Sequence, residues 1–570
     1  MWLRNKKVKS HPRMNTKVEK VREIKFKEYD QKQVLRVPID LSNLIPSGHL
    51  VRIVDQVVEE IDMSVLAQYY SGWGRRPYHP KMLIKVWIYG YCERVYTSRR
   101  LSKVLRENIH FMWLSGNQQP CFKTLSEFRG ERMQAMIDVI FKQVLLLLVA
   151  SGYIDIGDLY VDGSKWEANA NQYKRVWRGN TERYKQKVVE RIDALLAEIK
   201  VLQQEEDNAH GQGDLRELGN GEQITVVLNS ETVQEHLVAL HKLVEQEGYK
   251  EQSANKLKIR NLTRLGNKLA KEQENLIKYE QQELILGARN SYSHTDHDAT
   301  MLRLKDDRLV PAYNVQHTTS SQYIVNYTIA QNGSDSPTLS LHLDKMKDRF
   351  EGLAAPKRIS LCADAGYGSE ENYADLESRN IEAYVKYPLW YQDESGELAK
   401  KRFRRENWDY DAQSDTYTCP NGRTLKFREE KKRITDNGYE KTIRIYECES
   451  CENCPFAADC KKSETKNRTV LHSERGETYK TAAKELLATA RGLELRSNRS
   501  IEVESAFGDI KYNMKHDRFV LRGGHKVYVE YGLLSIGHNL RKVYCKESGI
   551  WAEQYARRAS KRDKNGLKRA

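Results

Sequence analysis

The chain has no apolar run approaching the ~20 residues that cross a bilayer. Its longest, "VLLLLVA" at 144–150, reads as the buried end of a helix. The first residues, "MWLRNKKVKSHPRMNTK", are basic but lack an apolar core. That argues against a secretory signal and for a basic arm, with Met14 as an alternative start. Nine cysteines in such a chain imply reduced thiols or a metal, not a disulfide framework. Acid is the minority charge, 79 residues against 94 basic, for a net +15. The excess favours a polyanionic partner, a bias that ribosomal, nuclease and membrane-surface proteins share. The 570 residues, 39% hydrophobic and 30% charged, suffice for about three or four domain-sized units with a real core.

Residues 43–150 read as helical. "HLVRIVDQVVEEID" places apolar residues at 50, 53, 54, 57, 58 and 61, one helical stripe. "TSRRLSKVLREN" opens on Thr97 or Ser98 as a helix cap, and Thr124 with Glu127 offers a capping box ahead of a long apolar helix. Short helices this rich in Arg and Lys suit a helix-turn-helix-like DNA reader, or an ordinary helical domain with solvated basic faces. From about 175 to 290 the chain is highly charged, with two heptad-like seams, Val188, Ile192, Leu195, Ile199, Leu202 and Leu262, Leu265, Leu269, Leu276, Tyr279. These predict an antiparallel two-helix arm joined by the flexible "EEDNAHGQGDLRELGNGEQ". Two β-rich runs then flank Ser320-Ser321 as a hairpin, followed by a helix over 337–350, the strand "RISLCADAGYGS", a helix over 370–379 and the strand "IEAYVKYP". A Lys-, Arg- and Cys-rich piece (395–475) precedes a final helical region at 500–546. With the two insertions set aside, the order β-ββ-α-β-α-β-α is that of a mixed α/β sheet flanked by helices.

Asp162 follows the short apolar run Leu159-Tyr160-Val161, where an acid can cap a helix, stabilise a turn or hold a metal. Asp364 likewise ends a predicted strand. If the two strands are neighbours, both carboxylates meet at one sheet edge, where α/β proteins keep their sites. A helix laid across that edge would bring the third acid, and "RSIEVESAFGDIKYN" offers Glu502 and Glu504. Phe507 and Lys511 follow Glu504 at three and seven residues, on one helical face. Three hard oxygen ligands suit Mg²⁺ or Mn²⁺, with Lys511 steadying a phosphate. The bland alternative is that Asp-Gly is a turn and the triple a coincidence among many acids.

"VDGSKWEANAN", "LVPAYNVQ", "ADAGYGSEENY" and "IEVESAFGDIKYN…RFVLRG…HNLRK" together resemble the bacterial insertion-sequence DDE transposases. "IPSGHLVRIVDQVV…RRPYHPKMLIKVWIYGY…SRRLSKVLREN" resembles their InsH-type N-terminal domain, and the resemblance spans roughly residues 25–546. It implies an RNase H-like core with Asp162, Asp364 and Glu504 as catalytic, metal-binding acids, and Lys511 from the glutamate-to-lysine helix motif. It implies Mg²⁺-dependent hydrolysis at the element's ends and attack of the freed 3′-hydroxyls on target DNA, in a homodimer or larger synaptic complex, in the bacterial cytoplasm at the nucleoid and without a membrane. Arg99, Arg100, Lys103, Arg499, Arg518 and Arg522 are the candidate DNA contacts. Two features depart from the family pattern, Ser500 after Arg499 and Trp166 where a smaller apolar residue is common. The expected division is a basic arm (1–40), a helical DNA-binding domain (41–152), the core (153–174 and 291–394), the inserted arm (175–290), a zinc-ribbon-like Cys-rich insertion (395–475), the rest of the core with the glutamate helix (476–546) and a basic tail (547–570). Inactive DNA-binding descent, or a plain metal-dependent nuclease of the same fold, are the alternative functions.

"CESCENCPFAADC" sets Cys448, Cys451, Cys454 and Cys460 close together. Cys419 can close an all-thiolate structural Zn²⁺ site with Cys451, Cys454 and Cys460, leaving Cys448 spare; the alternative is a reduced, metal-free remnant. Similar transposases carry this cluster in the same place. "YSHTDHDAT", with His294, His297, Asp296 and Asp298, reads as a second metal site or, by preference, a solvated turn.

Overall fold

Ten residues, Asp158–Glu167, make strand β1, on which the main sheet is organised. Numbered along the chain, the next strands are β2 (Arg175–Trp177), β3 (Ser291–Ser293), β4 (Thr300–Arg303), β5 (Leu309–Ser320), β6 (Tyr323–Ala330), β7 (Ile359–Ala363) and β8 (Ile381–Val385). β5 pairs antiparallel with β1 on one side and β7 pairs parallel on the other. β8 lies beyond β7, while β6 and β4 both pair with β5, so the sheet is mixed as expected. The computed structural model describes residues 40–62, 77–209, 228–248, 253–353, 358–461 and 465–549. The expected basic arm, most of the flexible arm linker and most of the basic tail lie outside them.

β1 does not stop at Asp162. Its residues Gly163 to Glu167 continue pairing with Gln316 to Ala312, so Asp162 stands mid-strand, opposite His317. Side chains alternate along a strand, which puts Tyr160, Asp162, Ser164 and Trp166 on one face. β5 is buried at nearly every position, on both faces, because helices cover the sheet on each side. The hairpin turns at Ser321 and Gln322, one residue later than the sequence indicates, with φ of 52° and 62°. Both residues take left-handed backbone, as tight two-residue hairpin turns require.

The N-terminal helices α1 (Leu50–Glu59), α2 (Pro80–Cys92), α3 (Ser98–Glu107) and α4 (Met133–Ala150) share one apolar core with the sheet and with the last helix of the described chain, Gly524–Glu547. Thr97 caps α3 through a bond from Arg100 N. Thr124 caps nothing; it lies inside the short helix Phe122–Glu127, whose cap position is Cys121. A π-helical turn joins that helix to α4, making Phe122–Ala150 one helical run long and apolar enough to cross a membrane, contrary to the sequence estimate. Its stripe Met136, Ile137, Ile140, Phe141, Val144 and Leu148 is spent against the core instead.

Helix α4 is riveted to the sheet by Arg349, on Leu339–Phe350. This guanidinium, 2% exposed as a residue, donates to Asp138 Oδ1 (2.7 Å), the Tyr528 hydroxyl, Asn326 Oδ1 and the Tyr327 carbonyl. Removing one member of a buried charge network strands the others. Arg349→Met is therefore expected to cost about 3–5 kcal/mol of stability, read as a lowered midpoint in denaturant unfolding. A loss under about 1 kcal/mol would show the network to be dispensable.

The arm has three helices, not two: Arg178–Ala209, Ser230–Gly248 and Ser253–Leu286. Val233, Leu237 and Leu240 of the middle one complete the core formed by Val188, Ile192, Leu262, Leu265 and Leu269. The Cys-rich insertion is a five-stranded antiparallel sheet with its own core of Trp408, Tyr417, Leu425, Tyr446 and Val470. Its long hairpin, strands Thr424–Ile434 and Glu440–Cys448, reaches the main body, where Asn437 donates to Glu371 and Lys441 pairs with Glu370. Helices Glu474–Ala488 and Ala490–Gly508 follow.

Candidate active site

The helix Ala490–Gly508 runs along β1 and β5. Leu495 and Val503 pack with Tyr160 and Cys362 at one end. At the other, Phe507 stacks on His317 with ring centroids 3.5 Å apart. The β5–β6 turn pins the helix from below: Gln322 N donates to Glu502 Oε2 (2.5 Å), and Ser505 donates to Gln322 Oε1. Burial raises the Glu502 carboxyl above its usual range. Of the two glutamates the sequence offers, Glu502 is thus tied into structure. Glu504 is exposed and makes no hydrogen bond or ion pair among the described residues.

Asp162 and Asp364 come together as the strand order requires, since β1 and β7 are neighbours. Asp364 caps the turn after β7 by accepting from Gly366 N at 2.9 Å. Between the two carboxylates lies Arg499, 3.0 Å from Asp162 Oδ1 and 3.5 Å from Asp364 Oδ2. Arg499, a candidate DNA contact by sequence, forms an ion-pair bridge inside the site, its side chain 12% exposed. The Asp162 carboxyl is pushed up to about 6, chiefly by burial and further by Asp364 and Asp335, against the pull of Arg499. A buried carboxylate in that condition calls for positive charge, and a guanidinium already supplies it.

Lys511 sits one turn beyond Phe507, on the π-helical turn Asp509–Asn513. That wider turn carries it towards β1, where its Nζ donates to Ser164 Oγ (2.7 Å) and the Lys165 carbonyl and lies 4.2 Å from the centre of the Trp166 ring. Burial brings its ammonium down to about 8. Trp166, the departure from the family pattern, is fully buried and donates Nε1 to the His516 carbonyl.

The other expected DNA contacts are dispersed. Arg99, Arg100 and Lys103 are exposed on α3, with Arg99 over the Phe122 ring and Lys103 near Glu107. Arg518 and Arg522 hold the segment leaving β1, through the carbonyls of Ala168, Ala170 and Asn169. His294 and His297 stand edge to face, and their neighbours serve the backbone: Asp296 accepts from Gly523 N and Tyr313, Asp298 from Gly524 N.

All five clustered cysteines line one small cavity. Cys448 differs from the rest: it is buried, its thiol is pushed up to about 12 mainly by burial, and it donates to the Ser450 carbonyl. Among the described residues no three His, Cys, Asp or Glu side chains form a metal-holding group as they stand. The donor chemistry nonetheless fits in both places, two carboxylates gathered on one cation and four further thiols around one cavity.

Sequence reasoning missed Asp335, whose carboxylate accepts from Asn314 Nδ2 (2.7 Å) and Gln316 Nε2 (2.8 Å) beside Gly163. A signal was present in "AYNVQH", where two amides occupy alternate positions of a strand buried on both faces.

Residues 418–544 match a family model described as Transposase DDE domain, and residues 39–131 match one described as Transposase domain (DUF772). The first match contains Arg499, Glu504, Lys511 and the five clustered cysteines; Asp162 and Asp364 lie outside both. No curated protein matches the chain.

Proposed function

We propose that the chain is a DDE transposase of the bacterial insertion-sequence kind, a reading that its two transposase-domain matches support, and that it cuts DNA at the ends of its element and joins the freed 3′-hydroxyls to target DNA. The observation carrying this reading is the meeting of Asp162 and Asp364, from strands about 200 residues apart in sequence, around the single guanidinium of Arg499. Asp162, Asp364 and Glu504 would hold Mg²⁺ or Mn²⁺, which when bound activates a hydroxyl and stabilises the leaving oxygen of a phosphodiester.

The protein's own groups do the rest. Arg499 holds the two aspartates together against their mutual repulsion. The β5–β6 turn and the stacked Phe507–His317 pair fix the glutamate helix over the sheet, so Glu504 is presented on a rigid element. Lys511, held by Ser164 and the Lys165 carbonyl, would steady a phosphate. The exposed bases of α3 would meet the DNA backbone, with affinity falling steeply as salt rises. A dimer or larger assembly would pair the two ends.

The test is a cleavage and joining assay on DNA carrying the element's flanking inverted repeats, with Mg²⁺ and without. Cleavage followed by joining is expected. No cleavage would favour an inactive DNA-binding descendant, and cleavage without joining a plain nuclease.

In the Cys-rich sheet, Cys419, Cys451, Cys454 and Cys460 would hold one structural Zn²⁺, with Cys448 left as a protonated thiol. Metal analysis is expected to find one zinc per chain in the parent and in Cys448→Ser, and none in Cys454→Ser. Equal zinc in both variants would refute the assignment.

A further inference from the structure

Asp335 lies on the loop between β6 and the short helical turn Ser336–Thr338. Both amides that hold its Oδ1, those of Asn314 and Gln316, are almost wholly buried, at 1% and 0% exposure. Gln316 is itself oriented by Asn314 Oδ1 (3.1 Å) and by the buried Tyr367 hydroxyl, which donates to its Oε1. Tyr367 stands three residues after Asp364, so this chain of bonds runs from the middle of β5 to the Asp364 turn. Burying amides in a strand is costly unless each is bonded. Here their bonds converge on fixing one carboxylate.

The backbone around Asp335 makes way for it. A Cβ on Gly163, next to Asp162, would come within 2.4 Å of Asp335 Oδ1 and of Gln316 Nε2. One on Gly366, two residues after Asp364, would stand 3.6 Å from Asp335 Oδ2. Asp335 thus sits against the backbone beside both aspartates. Neutral amides orient its charge without cancelling it, and among the described residues Asp335 has no cationic partner. Of the three neighbouring carboxylates, only Asp162 and Asp364 share the guanidinium of Arg499, and the charge of Asp335 is left over.

We infer that Asp335 is a positioning residue of the active site: its charge, held in place by Asn314 and Gln316, strengthens the grip of Asp162 and Asp364 on a divalent cation. This rests on the active-site reading above. The test is titration calorimetry of Mn²⁺ and of Mg²⁺ into the metal-free full chain, alongside its melting temperature. Asp335→Asn keeps an acceptor oxygen for both amides and removes only the charge. It is expected to weaken Mn²⁺ binding by about tenfold, on the scale of one charge acting across a partly screened site, with the melting temperature unchanged. Asp364→Asn, the control for the site itself, is expected to weaken binding more than that. Unchanged Mn²⁺ affinity in Asp335→Asn overturns the inference. Equal affinity in Asp364→Asn and the parent overturns the site reading instead. Should Asp335→Asn melt early, Asp335→Glu decides, because it restores charge but not the clamp: recovered Mn²⁺ affinity supports a charge role, and affinity that tracks melting temperature in both variants refutes it.

Discussion

Asp162→Asn is expected to lower DNA end cleavage by about 100- to 1,000-fold, the scale on which loss of a single charge-stabilising group acts, while leaving the metal-free protein at least as stable above pH 6. The two halves of that result have one cause. Asp162 is held mid-strand on a sheet face covered by a helix, and burial pushes its carboxyl up to about 6. A carboxyl raised in the folded state is one that folding prefers neutral. Its ionisation therefore withdraws stability as pH rises from the ordinary carboxylate range to about 6. The amide mimics the neutral acid, so this part of the pH dependence should flatten in the variant. The gain is at most about 3 kcal/mol, reduced by the loss of one Arg499 ion pair; Arg499 keeps Asp364. Cleavage rates and melting curves between pH 5 and 8 check both halves. Full activity would remove Asp162 from the site. A marked fall in melting temperature at pH 8 would make it a structural residue.

A loss of stability as large as that of Arg349→Met is expected from Trp166→Ala, at about 3–5 kcal/mol, the usual range for emptying a buried aromatic site. Trp166 fills the space between β1 and the elements behind the glutamate helix. Its ring lies 5.8 Å from Phe507, 6.4 Å from Phe519 and 5.4 Å from Tyr531, centre to centre. Truncation also strands the His516 carbonyl, which takes the indole N–H at 2.8 Å, and removes the ring beneath the Lys511 ammonium. Cleavage should then fall by more than the folded fraction does, because Lys511 loses part of its seat. Denaturant unfolding by tryptophan and tyrosine fluorescence, paired with single-turnover cleavage normalised to folded protein, separates the two effects. Trp166→Phe, which keeps a ring, should recover most of the stability. A loss below about 1 kcal/mol in Trp166→Ala would mean that the site collapses readily around the gap.

Much of this was legible without coordinates, and for definite reasons. Apolar runs of strand length bounded by turns marked β1, β5, β6, β7 and β8, and their order with the intervening helices is that of the mixed sheet observed. The encounter of Asp162 with Asp364 was legible only as a condition, that their strands be neighbours, and the parallel pairing of β1 with β7 meets it. Charged heptad seams marked the arm. Its third helix, Ser230–Gly248, escaped notice because its apolar stripe is short and sits beside a long polar stretch.

What only the tertiary structure decided concerns side chains whose meaning depends on residues far away in sequence. Local sequence makes Asp162 a turn residue; pairing of Gly163 to Glu167 with β5 makes it a mid-strand acid. Sequence offered Arg499 only as a candidate DNA contact; the fold also makes it the counter-ion of Asp162 and Asp364, whose buried charge would otherwise be uncompensated. Asp335 had no motif at all. It becomes part of the site because two buried amides of β5 and two glycines that leave room for it meet at one point in space, and residue-by-residue pattern carries no information about such a convergence. Periodicity and strand order are local properties that the sequence determines by itself, whereas charge balance inside a site is a property of the fold.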